Sequence, residues 1–198
     1  PAQAFVQPDP LGCILIIGPW NYPFSLTLQP LVGALAAGNT AVLKPSEHAP
    51  NVSSLIKKLI GKYFKPNITQ VIEGDGSIAA NLITQQFDHI FFTGGENIGK
   101  KVMEAASKNL TPVTLELGGK SPAIVIDAAN LEVTAKRIIW GKSLNAGQTC
   151  IAPDHLLVED KLFDSLISNL KNSINDFYGD TPLDSKHLGS IINQKQFN

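Results

Sequence analysis

The sequence predicts an α/β fold: a doubly wound, mostly parallel sheet, followed by the beginning of a second α/β domain. Three observations carry that expectation. Short apolar runs of strand length alternate with helix-length segments along the first 115 residues. The first of those runs is continuous rather than alternating, which suits a strand covered on both faces. The pattern then restarts after Gly119, as a second unit would require.

Taken in order, residues 12–17 form the first strand and Gly18-Pro-Trp-Asn-Tyr-Pro23 the loop that leaves it. Residues 25–37 are small, apolar and helical, and end at Gly38. The next strand is 40–43. An amphipathic helix over 50–64 places Val52, Leu55, Ile56, Leu59, Ile60 and Phe64 on one face. Strand 70–72, helix 77–83, strand 89–93, helix 97–108 and strand 113–115 complete the series. Beyond Gly119 come strand 121–126, helix 131–144, strand 156–159 and helix 162–177. Strands and helices in this alternation indicate βαβ units. Ligands of such sheets sit beyond the carboxyl ends of the strands, so the loops after Ile17, Leu43, Thr93 and Leu115 are where a site is expected.

Composition removes several classes. Hydrophobic residues make up 43% of the 198 positions and charged ones 17%, so the chain can fold around a core. A net charge of -1 gives no electrostatic reason to expect nucleic acid or an anionic membrane as partner. The longest apolar run, Cys13 to Ile17, is far below the ~20 residues of a membrane span. Cys13 and Cys150 are too few and too distant for a disulfide framework, and His48, His89, His155 and His187 show no metal-ligand spacing. Three sequons, at Asn51, Asn67 and Asn109, read as chance matches, and a cytoplasmic location is expected. The chain opens at Pro1 without an initiator methionine and stops at Asn198 without a helix stop signal, so both ends are expected to be cut.

Two glycine motifs compete for a nucleotide. Gly74-Asp-Gly-Ser-Ile-Ala79 fits a dinucleotide fingerprint, but Asp75 would set a carboxylate beside a pyrophosphate, and a tight strand-to-helix turn is the plainer reading. Gly94-Gly-Glu-Asn-Ile-Gly-Lys-Lys101 falls one residue short of a P-loop, because Lys101 stands where the magnesium-binding hydroxyl belongs; a nucleotide triphosphatase is the alternative it raises. The same turn, opening a helix after a strand, still offers backbone N–H groups to a phosphate.

Three separated segments resemble the aldehyde dehydrogenase family. They are Pro19-Trp-Asn-Tyr-Pro-Phe24, Leu115-Glu-Leu-Gly-Gly-Lys-Ser-Pro122 and Asn145-Ala-Gly-Gln-Thr-Cys-Ile-Ala-Pro153. Leu43-Lys-Pro-Ser-Glu47 and Phe92-Thr-Gly-Gly95 match two cofactor loops of that family, in the family's order. Leu110-Thr-Pro-Val-Thr-Leu-Glu116 and the Ala-Pro-Asp154 after the cysteine look most like the branch acting on medium- and long-chain or aromatic aldehydes. The resemblance implies a Rossmann-like dinucleotide-binding domain over residues 1–119, truncated at its N-terminus. Residues 120–198 become the first part of a catalytic domain, truncated at its C-terminus. Many family members carry serine where this chain has Gly95, so one hydroxyl contact to phosphate is lost.

The same resemblance assigns roles. Cys150 is the nucleophile, the Asn21 amide and the Cys150 backbone N–H hold the oxyanion, and Glu116 is the general base. Cofactor residues are Ile17, Gly18, Pro19 and Trp20 in the first loop and Lys44 and Glu47 in the second, the latter two beside an adenosine ribose. Gly94, Gly95, Ile98 and Gly99 belong to the phosphate turn, and Leu117 and Gly118 follow the glutamate. The expected cofactor is NAD, with NADP as a second choice; no metal is expected. The expected reaction oxidises a small-molecule aldehyde to a carboxylic acid through a thiohemiacetal and a thioester. Acyl transfer to coenzyme A, and a non-catalytic protein that keeps the fold, are the alternatives. The full-length protein is expected to be a homo-oligomer, and these 198 residues alone to have negligible turnover.

Overall fold

The computed structural model describes residues 2–7, 9–127 and 130–198. Pro1, where the chain opens, lies outside them. The chain divides into two compact units, Pro1–Leu117 and Gly118–Asn198.

The first unit is a five-stranded sheet. Its strands are β1 (Cys13–Ile17), β2 (Thr40–Lys44), β3 (Thr69–Val71), β4 (His89–Thr93) and β5 (Val113–Glu116), in the order β3-β2-β1-β4-β5. Every pairing is parallel. The connecting helices are α1 (Ser25–Ala36), α2 (Pro50–Tyr63), α3 (Gly76–Leu82) and α4 (Glu96–Ser107). Element bounds differ from those expected by one residue at most.

Side-chain alternation along β1 decides which helix covers which face. Ile14 and Ile16, with Ala41 and Leu43 of β2, pack against Leu31 of α1 and Ile56 and Ile60 of α2. Leu15 and Ile17, with Ile90 and Phe92 of β4, pack against Leu82 of α3 and Val102 and Ala106 of α4. The chain therefore winds outward through β2 and β3 with helices on one face. It then returns past β1 to β4 and β5 with helices on the other, as consistent crossover handedness demands. Leu15, Ile16, Leu43 and Ile90 are fully buried, and each contributes on the order of 1.5–3 kcal/mol by leaving water. The order reverses between β1 and β4, the position where such sheets open a crevice.

The second unit pairs β6 (Pro122–Val125) with β7 (His155–Val158) in parallel, joined through α5 (Leu131–Ser143) and followed by α6 (Phe163–Tyr178). Val125, Ala135 and Leu166 form its core. The other side of the two strands is bare: Ile124 and Leu157, direct partners in the register, are 69% and 52% exposed. Two strands and one covered face make a minimal sheet. The short helix α7 (Gln194–Phe197) ends the chain. Among the described residues, no helix is long and apolar enough to cross a membrane, and no group of three metal-ligating side chains occurs.

His89 opens β4 and is held partly out of solvent there. Its Nε2 lies 3.0 Å from Thr114 Oγ1, while Nδ1 is buried without a hydrogen-bond partner among the described residues. Burial pushes the imidazole pKa below its ordinary value. The unfolded chain takes up a proton near ~6.5, and the folded chain resists it to lower pH. Stability from the neutral ring is thus complete above that value and is lost as pH falls toward the folded-state pKa. Denaturant titrations between pH 7 and pH 5 are expected to show stability declining with acid, and His89→Gln is expected to flatten the decline. Identical slopes for the two proteins would refute the assignment.

Candidate active site

Parallel register brings four strand ends to one edge of the first unit. Ile17 pairs with Lys44 on one side, β1 pairs with β4 on the other, and Thr93 pairs with Glu116. β2 to β5 spans three interstrand steps, about 14 Å.

At the end of β1 the Gly18 N–H donates to the Lys44 carbonyl at 3.0 Å. A Cβ on Gly18 would coincide with Thr27 Oγ1, so only glycine lets α1 close on the strand end. Thr27 is fully buried, and its hydroxyl donates to the Pro23 carbonyl at 2.7 Å. That bond ties the Pro19–Pro23 loop to the first turn of α1. Asn21 is half-buried in this loop, and its Oδ1 accepts from the Tyr22 N–H at 3.1 Å. The bond engages the acceptor end of the amide.

Lys44 is the last residue of β2, and Glu47 stands in the turn beyond it. A lysine and a glutamate three residues apart suggest a solvated charge pair, which describes Glu47 but not Lys44. Lys44 is 1% exposed; its Nζ donates to the Pro45 carbonyl at 2.8 Å and to Glu47 Oε2 at 3.3 Å. A buried ammonium needs such partners, because removing a charge from water costs several kcal/mol. The Glu47 carboxylate keeps more than a third of its surface in solvent.

The Gly74–Ala79 motif resolves as a turn. Gly74 takes φ +145°, and Asp75 caps α3 by accepting from the Ser77 N–H at 2.9 Å and the Ser77 hydroxyl at 2.6 Å. Those bonds hold the Asp75 carboxyl below the usual carboxylate range. A carboxylate already occupies the helix end that a pyrophosphate would need. The turn after β4 differs. Gly94 donates its N–H to the Glu116 carbonyl at 3.0 Å, and a Cβ there would sit 2.5 Å from the Phe92 ring. Gly95 opens α4 with no side-chain cap. The helix begins at Glu96, so Gly94 and Gly95 are the whole loop, too short to wrap a triphosphate; Lys101 lies exposed within the helix. Ile98 is half exposed, and Gly99 is buried, where a Cβ would lie 2.8 Å from Leu117. Glu116 ends β5 with an exposed side chain, and Leu117 closes the first unit.

Gly118 opens the second unit, which also holds Cys150. The cysteine is exposed, whereas Cys13 sits half-buried at the head of β1 with its N–H donated to Asp88. A short 3-10 turn, Leu144–Gly147, precedes Cys150, and three successive residues in it are left-handed: Asn145 at φ 52°, Ala146 at 55° and Gly147 at 77°. Asparagine and glycine accept that conformation, but alanine there costs roughly 1–2 kcal/mol. A Cβ on Gly119 would come within 3.1 Å of the Cys150 carbonyl, so the 118–121 loop runs against the cysteine loop. Asp154 N–H donates to the Ser121 carbonyl at 2.9 Å, and Lys120 donates to Asp154 Oδ1 at 3.2 Å, holding that carboxyl below its usual range.

Asn21, Lys44, Glu47, the Gly94–Gly95 turn and Glu116 thus share one edge of the first unit, and Cys150 belongs to the second. Residue types alone did not single out Thr27, which fills the space beside Gly18, or Gln148, whose carboxamide ties the cysteine loop to a distant segment. The signals available for the loop were an asparagine and a glycine two residues apart.

A sequence profile of the aldehyde dehydrogenase family matches residues 1–198. The chain is 50% identical over 197 residues to 4,4'-diaponeurosporen-aldehyde dehydrogenase of Staphylococcus aureus, covering 100% of this chain and 43% of that protein. It is 47% identical over 193 residues to the dimeric NADP-preferring aldehyde dehydrogenase of Rattus norvegicus, covering 98% of this chain and 43% of the relative. Among solved structures, the substrate-bound state of Staphylococcus aureus AldH superposes with a TM-score of 0.90 at 52% identity, over 94% of this chain and 41% of that one. The chain spans about two fifths of the length of these relatives. On a profile match along its whole length, the chain belongs to the aldehyde dehydrogenase family.

Proposed function

We propose that this chain supplies the dinucleotide-binding edge and the nucleophile of an enzyme that oxidises an aldehyde to a carboxylic acid with NAD or NADP. The observation that carries the reading is Cys150: an exposed thiol beside a glycine-built turn, in a chain of this family. The first unit fits a dinucleotide. The carboxyl edge at the order reversal offers Gly94 and Gly95, two residues without side chains that lead into α4. Two strand steps away, about 10 Å, Glu47 presents acceptors for ribose hydroxyls, steadied by Lys44. The relative named as NADP-preferring supports the wider choice of cofactor.

In this reading the Cys150 thiolate attacks the aldehyde carbon. The Asn21 amide and the Cys150 backbone N–H stabilise the resulting oxyanion. When bound, NAD(P) supplies the acceptor for the hydride that leaves the thiohemiacetal. Glu116 then takes a proton from the water that hydrolyses the thioester on Cys150. Medium- and long-chain or aromatic aldehydes are the proposed substrates, a reading supported by the relative named for 4,4'-diaponeurosporen-aldehyde. A homo-oligomer of the full-length protein is supported by the relative named as dimeric.

Roles separate by substitution in the full-length enzyme. Cys150→Ala is expected to lower turnover at least about 10³-fold, while Cys13→Ala costs about 1 kcal/mol of stability and leaves turnover intact. Retained turnover in Cys150→Ala would remove the nucleophile assignment.

Glu116→Gln is expected to release about one equivalent of NADH in a burst and then stall at the thioester, since the base acts only in hydrolysis. Stopped-flow absorbance at the NADH band reads both phases. Undiminished steady-state turnover would show that another group activates the water.

Cofactor preference follows from Glu47. Its carboxylate would face a 2′-phosphate with like charge, and Lys44 offsets only part of that. NAD is expected to be favoured about tenfold in kcat/KM, corresponding to ~1.4 kcal/mol, and Glu47→Gln is expected to narrow the ratio. Equal or better use of NADP by the wild type, or an unchanged ratio in the variant, would place the discrimination elsewhere.

A further inference from the structure

Ala146 has no conformational reason to be left-handed, so the loop before Cys150 must be held in that shape by its surroundings. Gln148 makes the bonds that could hold it. Its backbone N–H and its Nε2 both donate to the Asn145 carbonyl, at 3.1 and 3.0 Å. The same Nε2 donates to the Ser190 carbonyl at 3.1 Å, and Oε1 accepts from the Ile192 N–H at 2.9 Å. Both ends of one carboxamide are engaged, with a segment more than 40 residues downstream in sequence. That segment also lies on the turn itself, because a Cβ on Gly189 would be 3.7 Å from the Ala146 nitrogen. All of these groups belong to the second unit.

We propose that Gln148 is a positioning residue for the nucleophile: by clamping the left-handed Asn145–Gly147 turn to the 190–192 backbone, it sets the direction in which the chain presents Cys150. This rests on the reading of Cys150 as the nucleophile. Gln148 takes no proton and touches no reacting atom in this role. Without the clamp, Ala146 relaxes to a right-handed or extended conformation, and the residues that follow turn with it. A thiol displaced by an ångström loses its attack geometry while the cofactor edge of the first unit is untouched, so the effect falls on the acylation step.

The test uses the full-length enzyme and compares wild type, Gln148→Ala, Gln148→Ala with Ala146→Gly, and Cys150→Ala. The readouts are the pre-steady-state burst rate, KM for NAD and the rate of iodoacetamide inactivation. Gln148→Ala is expected to slow the burst about 10²-fold with KM for NAD unchanged within about twofold. Adding Ala146→Gly is expected to restore about fivefold to tenfold, because glycine adopts the left-handed turn without the clamp. Gln148→Glu keeps the acceptor toward Ile192 but loses the donor toward Asn145 and Ser190. It is expected to behave like Gln148→Ala, and it carries the test if the alanine variant does not fold. A wild-type burst in the folded Gln148 variants, or a loss that Ala146→Gly does not relieve, would overturn the clamp. An active Cys150→Ala enzyme would instead overturn the nucleophile reading on which the clamp rests.

Discussion

Parallel pairing in register is the constraint on which the carboxyl edge of the sheet depends. When β2, β1, β4 and β5 run the same way and are matched residue for residue, their last residues must line up. Lys44, Ile17, Thr93 and Glu116 therefore end four neighbouring strands along one edge, although 72 positions separate Lys44 from Glu116 in sequence. The apolar residues that hold the register, Leu15, Ile16, Leu43 and Ile90, are among the most deeply buried. Core packing and placement of that edge are thus a single event. A slip of one residue in β1 would invert its faces and carry the Pro19–Pro23 loop out of line with the Gly94–Gly95 turn.

Small residues and local bonds then refine what register has placed. Gly18 and Gly99 yield their side-chain space to Thr27 and Leu117, and Gly94 to the Phe92 ring. At the end of β2 a buried lysine is made tolerable by the Pro45 carbonyl and the Glu47 carboxylate, and that bond also orients Glu47. The two helix entries after β3 and β4 look alike in composition and differ in chemistry. Asp75 satisfies one helix end with its own carboxylate, while Gly95 opens the other with no side-chain cap.

Most of the architecture was legible in the sequence, because it rests on periodicity. The continuous run Cys13–Ile17 announced a strand covered on both faces, and the Val52, Ile56, Ile60 stripe announced the helix that covers it. The doubly wound order followed from alternation and handedness. What escaped was conformation set by distant partners. Asn145 and Gly147 permit left-handed turns, but nothing in Ala146 predicts three left-handed residues in succession; bonds from Gln148 to Ser190 and Ile192 close over that turn from far along the chain. The burial of Lys44 escaped likewise: a lysine at a strand end reads as solvated until Pro45 and Glu47 are seen around it. The roles proposed for Asn21, Glu116 and Cys150 rest on motif resemblance rather than on periodicity, which carries no chemistry.

The central claim is that carbon from the aldehyde becomes bonded to Cys150 Sγ. Acid quenching of the full-length enzyme within the first turnover, with aldehyde and NAD present, followed by peptide mass spectrometry, tests it directly. The account predicts an acyl adduct on the peptide containing Cys150 and none on the peptide containing Cys13. An adduct on Cys13, or NADH formed at full burst amplitude with Cys150 unmodified throughout, would contradict it.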